Sequence, residues 1–152
     1  MTFSNLTNES IELFLAGDIN TPFHESNPVF TKDGKTVYFT RNNFIDGKKG
    51  KDKSKTIRLK LYKATKNGDS LWTDIKELPF NSKEYSVAHP ALSLDEKRLY
   101  FASDMPGTIG MSDIWYVDIN GEDLYSNPVN LGPGINTEAR ESFPFISDEN
   151  NM

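Results

Sequence analysis

Apolar and polar residues alternate along short runs of the chain, which is the period of β-strands. Between residues 57 and 64 apolar side chains alternate with basic ones. Residues 37–39 and 99–101 are apolar at every position, which is typical of strands covered on both faces. Aromatic or β-branched residues predict further strands at 72–78, 114–119 and 128–131. No run has the period of an amphipathic helix, so the pattern predicts an all-β protein.

The chain contains an internal repeat. Residues 27–40 align without a gap with residues 89–102, and a third copy begins at residues 143–148. The prolines at 28, 90 and 144 are therefore spaced by 62 and 54 residues, near the upper limit for propeller repeats. A second element precedes each copy, in the order Ile19-Asn20-Thr21, Phe80-Asn81-Ser82 and Ile135-Asn136-Thr137.

Each repeat predicts a β-hairpin. We expect Pro28 and Pro90 at strand starts, where a missing N–H removes no ladder bond. The next feature is a turn, Asp33-Gly34 in the first copy and Asp95-Glu96 in the second, and glycine accepts positive φ there at no steric cost. The two hairpins should therefore superpose.

Four short strands per repeat, with apolar faces on both sides, predict a partial β-propeller, in which each blade covers the next. We expect a single propeller segment over residues 1–152, with about two complete four-stranded blades plus fragments of their neighbours. The predicted parts are a blade remnant at 11–16, blades at 22–79 and 83–132, and the start of another blade at 142–152.

Because a closed propeller has about four to eight blades, we expect the chain to be part of a longer protein. On its own it should self-associate or be marginally stable, since its outermost blades would leave strand edges and apolar faces uncovered.

The repeat resembles a known family. The motifs at 90–101, 103–107, 112–117, 127–132 and 135–137 are similar to the WD-like Pro-Asp propeller repeat related to the TolB propeller. The sequences at 78–82 and 143–147 are similar to the propeller segment of OmpA-family envelope proteins of Bacteroidota. This resemblance covers the chain from about Asp18 onward.

The resemblance implies a non-catalytic protein-interaction or scaffold propeller in the periplasm. Its partners would be other envelope proteins, and a separate OmpA-like domain outside this chain would bind peptidoglycan. A link to type IX secretion or gliding is also implied. Two alternatives stay open, because propellers of this type occur elsewhere: the propeller portion of a serine peptidase, and a glycan-binding propeller.

The composition limits the classes of partner and the chemistry expected of this chain. The formal net charge of −5 and the pI near 5.0 oppose binding to nucleic acid or to an anionic membrane surface. No run of 18 apolar residues occurs, so we expect no direct membrane insertion. The absence of cysteine excludes disulfides and thiolate chemistry.

The sequence predicts no catalytic, metal or cofactor-binding residues. His24 and His89 could pair with Ser26 or Ser93, but no Gly-x-Ser-x-Gly motif occurs and the histidines belong to different blades. The acidic run at 118–123 departs from a calcium-loop pattern and favours a hairpin turn.

Five residues are candidates for binding. Lys48, Lys49 and Lys51 belong to a basic run at 48–55. Such a run is usually a solvated loop, although on an acidic protein it could contact an anionic partner such as cell-wall polymer. Tyr85 and Tyr125 fall in predicted loops, whereas the other tyrosines occupy strand positions that favour packing between blades.

Overall fold

The computed structural model describes residues 25–42, 44–45, 48–49, 58–66 and 72–146. Their regular structure consists of eleven β-strands, which confirms the all-β prediction for this part of the chain. No helix among these residues is long and apolar enough to cross a membrane. The remnant predicted at 11–16 lies outside the described residues, as do residues 147–152.

Sheet 1 is antiparallel and pairs its strands in chain order. Strands β1 (Glu25–Phe30) and β2 (Thr36–Asn42) form a hairpin. A short hairpin of β3 (Phe44–Ile45) and β4 (Lys48–Lys49) follows. Strands β5 (Leu59–Thr65) and β6 (Thr73–Glu77) then complete the order β1-β2-β5-β6. The β3–β4 pair was not predicted, because the run at 48–55 was interpreted as a loop.

Sheet 2 has five antiparallel strands where four were predicted. The strands are β7 (Val87–Leu92), β8 (Arg98–Ser103), β9 (Asp113–Gly121), β10 (Leu124–Tyr125) and β11 (Val129–Asn130). Strands β7, β8 and β9 pair in chain order, and both β10 and β11 pair with β9. The additional strand arises because β9 continues past its pairing with β8 and turns back into β10.

The β1–β2 and β7–β8 hairpins have the same register, since Val29 pairs with Tyr38 and Ala91 with Tyr100. Their turns also share hydrogen bonds. In each turn a hydroxyl group donates to the aspartate two residues later at 2.6 Å, from Thr31 in the first and from Ser93 in the second. The predicted equivalence of the two hairpins is confirmed.

The prediction that proline opens each strand is wrong. Pro28 and Pro90 lie inside β1 and β7, and the pairing register shifts around each of them. An irregularity of this kind leaves a residue out of the ladder. The strand can therefore continue across a residue that has no N–H to donate.

The hydrophobic core lies between the two sheets, where β7 contacts β1, β2 and β5. Phe80 and Phe101 stack within it with their ring centroids 4.9 Å apart. A second cluster covers the opposite side of sheet 1 and includes Val37 and Phe39, both fully buried. The all-apolar run at 37–39 is thus buried on both faces, as its pattern predicted. Burial of each large apolar side chain contributes about 1.5–3 kcal/mol.

The strand register shows which face of sheet 2 is equivalent to a given face of sheet 1. Directly paired residues share a face, and residues two apart on a strand do too. We call the side of sheet 1 that sheet 2 packs against the covered face; it consists of Tyr38, Thr40, Leu61, Lys63 and Lys76. The equivalent side of sheet 2, which we call the open face, consists of Tyr100, Ala102, Ile114, Tyr116 and Val129. Ala102 and Ile114 are buried at one end of this face, whereas Val129 is exposed.

Candidate interaction site

The connection between β8 and β9, residues 104–112, is organised by the carboxylate that follows it, and we call it the Asp113 loop. The Asp113 side chain is fully buried. Its oxygens accept hydrogen bonds from the backbone N–H groups of Ile109 (2.6 Å) and Gly110 (3.3 Å) and from the Asn130 amide (2.7 Å). Because buried carboxylates are costly unless they are hydrogen-bonded, this arrangement holds the loop in one conformation.

Gly110 fixes the other side of the loop. A Cβ atom at this position would lie 2.4 Å from the carbonyl oxygens of both Thr137 and Ala139, so only glycine fits. The next residue, Met111, donates its backbone N–H to the Ala139 carbonyl at 2.9 Å. The loop is therefore clamped between Asp113 and residues 137–139.

This clamped loop presents apolar side chains to solvent. Ile109 is 45% exposed and Met111 is 61% exposed. The loop begins beside the β2–β5 connection of sheet 1, since Arg58 lies 3.4 Å from Asp104. Both connections, one apolar at its tip and one containing the basic run, therefore leave the sheets at the same end of the molecule, which we call the loop end.

Ser93 and Ser112 have hydrogen bonds to neighbouring parts of the chain. The Ser93 hydroxyl donates to Asp95, and the Ser112 hydroxyl donates to the carbonyl of Glu141 at 2.7 Å. His89 stacks on Phe143 with ring centroids 3.8 Å apart, and burial lowers the pKa of its imidazole. Each of these side chains holds a turn or a connection, and His24 lies outside the described residues.

The acidic run at 118–123 forms the β9–β10 hairpin, as predicted. Two of its carboxylates pair with cations on other strands. Asp118 accepts a hydrogen bond from Arg98 at 2.8 Å, and Asp123 binds two lysines of sheet 1. Within the described part of the chain no group of three or more histidine, cysteine or acidic residues is arranged to hold a metal ion.

Both candidate tyrosines lie against the core; Tyr85 is in a loop, as predicted, whereas Tyr125 is in a strand. The Tyr85 hydroxyl donates to the Phe80 carbonyl at 3.2 Å, and the ring packs on the core. Tyr125 is in β10, with its hydroxyl 3.3 Å from that of Tyr38, and burial raises the pKa of Tyr125 well above its usual range. Sequence reasoning missed both partners: Phe80 lies five residues before Tyr85, whereas Tyr38 belongs to a segment 87 residues before Tyr125.

The structure places Lys48 and Lys49 in β4, where they pair with β3 through the backbone. Lys51 lies outside the described residues. The structure thus brings part of the basic run into a hairpin in the β2–β5 connection.

Two asparagines carry a role that sequence reasoning missed. The Asn81 side chain accepts from the Leu61 backbone N–H (2.9 Å) and donates to the Leu61 carbonyl (2.7 Å). Asn136 does the same to Ile114, at 2.7 and 3.0 Å. Leu61 and Ile114 are equivalent positions in the two sheets. We call these pairs the asparagine clamps; the recurring Asn between an apolar residue and Ser or Thr was visible in the sequence, but its partner was not.

A shallow cleft of about 240 Å³ lies beside the open face. The Arg98 guanidinium is 3.9 Å from the centre of the Tyr116 ring and is also paired with Asp118, which raises the pKa of Arg98. The lining is mostly polar: Ser93, Asp95, Lys97, Arg98, Tyr100 and Asp118.

Sheet 2 therefore carries two distinct candidate surfaces, which are the apolar tip of the Asp113 loop and the open face with its cleft. Neither surface brings a nucleophile and a base together among the described contacts. Comparison of the chain with protein-family models and with curated proteins finds no match.

Proposed function

We propose that this chain is part of a β-propeller and serves as a non-catalytic protein-interaction scaffold in the bacterial cell envelope. The envelope location and the OmpA-family relationship follow from the resemblance of the repeats. The interaction role is supported by the Asp113 loop.

The repetition of local geometry supports the propeller. Both sheets have the same hairpin register, and an asparagine clamp binds the equivalent position of each. The third copy starts in the same way as the second, since Phe143 (φ 53°) and its counterpart His89 (φ 58°) both adopt positive φ. Such values are uncommon outside glycine, so their recurrence indicates that one packing arrangement is repeated.

The observation that carries the interaction role is the rigid display of apolar side chains at the loop end. Ile109 and Met111 are exposed although their backbone is fixed by Asp113 and Ala139. Binding residues are often found on loops that a rigid scaffold positions, and pre-organised side chains lose little entropy on binding. A protein partner with an apolar contact surface fits this tip.

Site-specific photo-crosslinking in envelope preparations of the source bacterium tests the proposal. A photoreactive residue replaces Met111 in one variant and Leu124 in the control, since Leu124 is 62% exposed but lies in β10, away from the loop end. We expect a discrete crosslinked protein from position 111 only, and Ile109→Ser should weaken it. Equal crosslinking from both positions would contradict a specific site.

The non-catalytic part of the proposal has its own test. In the presence of the purified chain, peptide and glycoside substrates should be hydrolysed no faster than in buffer alone. Turnover that is lost in His89→Ala or Ser93→Ala would show that this chain carries catalytic residues of its own and would overturn the non-catalytic role. Binding of a defined glycan that is lost in Tyr100→Ala would favour the glycan-binding alternative.

A further inference from the structure

Sheet 2 is held on the covered face by a carboxylate. Asp123, in the β9–β10 turn, accepts from the Lys63 ammonium at 2.9 Å and from the Lys76 ammonium at 2.7 Å. These hydrogen bonds, the one from Lys76 first, hold the pKa of Asp123 below its usual value. Beside them the hydroxyls of Tyr38 and Tyr125 meet at 3.3 Å. The interface between the two sheets, which we call the first interface, thus combines a contact between two tyrosine hydroxyls with a carboxylate bound by two lysines.

The open face keeps the aromatic position but lacks the lysines. Tyr100 is the counterpart of Tyr38, whereas Tyr116 and Val129 stand where sheet 1 has Lys63 and Lys76. A carboxylate placed over Tyr116 and Val129 would lose water without gaining a partner, which is costly.

The cation that contacts Tyr116 does not replace the lysines. Arg98 lies over the Tyr116 ring and is already paired with Asp118, at 2.8 Å. An incoming carboxylate would therefore meet the negative charge of Asp118 as well. An apolar group at the same place would instead bury Val129, which is 42% exposed, and contact the aromatic ring of Tyr116.

The edge of the open face is already occupied in the manner of the first interface. Residues 112 and 140 form an isolated bridge, Ser112 with Arg140. At the equivalent place on sheet 1, the Leu59 backbone N–H donates to the Ser86 hydroxyl at 3.1 Å. The segment at residue 140 thus contacts sheet 2 at the place where the segment before β7 contacts sheet 1.

We propose that the open face binds a further β-sheet of the same repeat type, and that this sheet carries an apolar residue where sheet 2 carries Asp123. The inference rests on the proposed propeller and adds the chemistry that selects the neighbour: lysines on the covered face select an acidic turn, and Tyr116 with Val129 selects an apolar one.

The full chain, extended after Met152 by a second copy of residues 99–146, provides the test. Met152 lies 54 residues after Arg98, the same spacing as between the prolines at 90 and 144, so the copy continues the third repeat in register. One version keeps the aspartate of the copied turn, and a second version changes it to leucine. The copied Tyr100 is changed to Phe, so that oxidation of Tyr100 by hydroxyl radicals reports only on the open face.

We expect Tyr100 to be protected in the extended chains, and the leucine version to melt about 2–4 °C higher than the aspartate version, the shift that about 1 kcal/mol produces in a chain of this size. Tyr116→Lys with Val129→Lys should reverse that order. As the matched control, Asp123→Leu in the original turn should lower the melting temperature, because it removes the partner of two lysines.

The failures are distinguishable. Protection of Tyr100 with equal or higher stability of the aspartate version would overturn the selection by charge and leave the propeller intact. Unprotected Tyr100 in every extended chain would overturn the propeller arrangement itself. Concentration-dependent protection of Tyr100 in the unextended chain would assign the face to a second copy and overturn the inference.

Discussion

In sheet 1, Tyr38 is only 3% exposed beneath sheet 2, whereas its counterpart Tyr100 in sheet 2 is partly buried and lines a polar cleft. The backbone around the two residues has the same register. The residues paired with them differ, because Lys63 is opposite Tyr38 and Tyr116 is opposite Tyr100. The comparison shows that the repeat specifies the sheet, while the side chains on its face specify what packs against it.

The largest test of this comparison replaces the two equivalent tyrosines. Tyr38→Ala should destabilise the chain by about 3–5 kcal/mol, as expected for loss of a buried aromatic ring. Tyr100→Ala should cost about 1 kcal/mol, as for a typical partly buried position. Urea denaturation measures both. Tyr38→Phe, which keeps the ring and removes the hydroxyl contact with Tyr125, should cost about 1 kcal/mol. Equal costs for the two alanine variants would show that the faces do not differ in burial.

The asparagine clamps provide a test of equivalence instead of difference. Asn136→Ala leaves the backbone of Ile114 without its partner in a buried site and should cost about 2–3 kcal/mol. Asn81→Ala should cost about 1–2 kcal/mol, because Asn81 is less buried. Asn127→Ala, at an exposed position, serves as the control and should change the free energy of unfolding by less than about 0.5 kcal/mol. An unchanged free energy of unfolding in the Asn136 variant would show that the clamp does not stabilise the fold.

The two hairpin turns carry different residues at one position where their backbone conformation is the same. Gly34 (φ 70°) and its counterpart Glu96 (φ 59°) both adopt the left-handed conformation. Gly34→Ala should destabilise the first hairpin by about 1 kcal/mol, since no neighbouring atom would contact the added Cβ and only backbone strain remains. Gly134→Ala, at a glycine with open space and no positive φ, is the control and should be neutral in thermal melts. Equal effects of both substitutions would argue against strain at residue 34.

The smallest expected effect concerns acid. The pKa of Asp123 is lowered in the folded chain from its ordinary value of 3.8, so its contribution is complete above about pH 4. That contribution is lost as the pH falls through the lower folded value. It should amount to about 1 kcal/mol or less, because the pair is partly exposed. Asp123→Asn should reduce the fall in stability between pH 5 and 3; an unchanged slope would show that other carboxylates, such as Asp33 and Asp95, account for it.

Much of the candidate interaction site could not be predicted from the sequence. The exposed tip at Ile109 and Met111 was visible only as part of a loop, because its shape depends on a carboxylate that accepts from backbone groups around it. Tyr125 was expected at the surface, yet its partner Tyr38 lies 87 residues earlier. Contacts at such separations leave no local pattern that periodicity or turn chemistry would reveal.

The sequence by itself determined most of the strands, the two hairpins and their equivalence, since alternation along a strand and the residues of a turn are local properties. Only the tertiary structure decided which face of each sheet is covered, why Asn81 and Asn136 recur, and that Asp123 lies between two lysines of another sheet. The physical reason is that burial and ion pairing depend on which segments meet, and those segments are separated in the chain, by 20 residues for Leu61 and Asn81 and by 60 for Lys63 and Asp123.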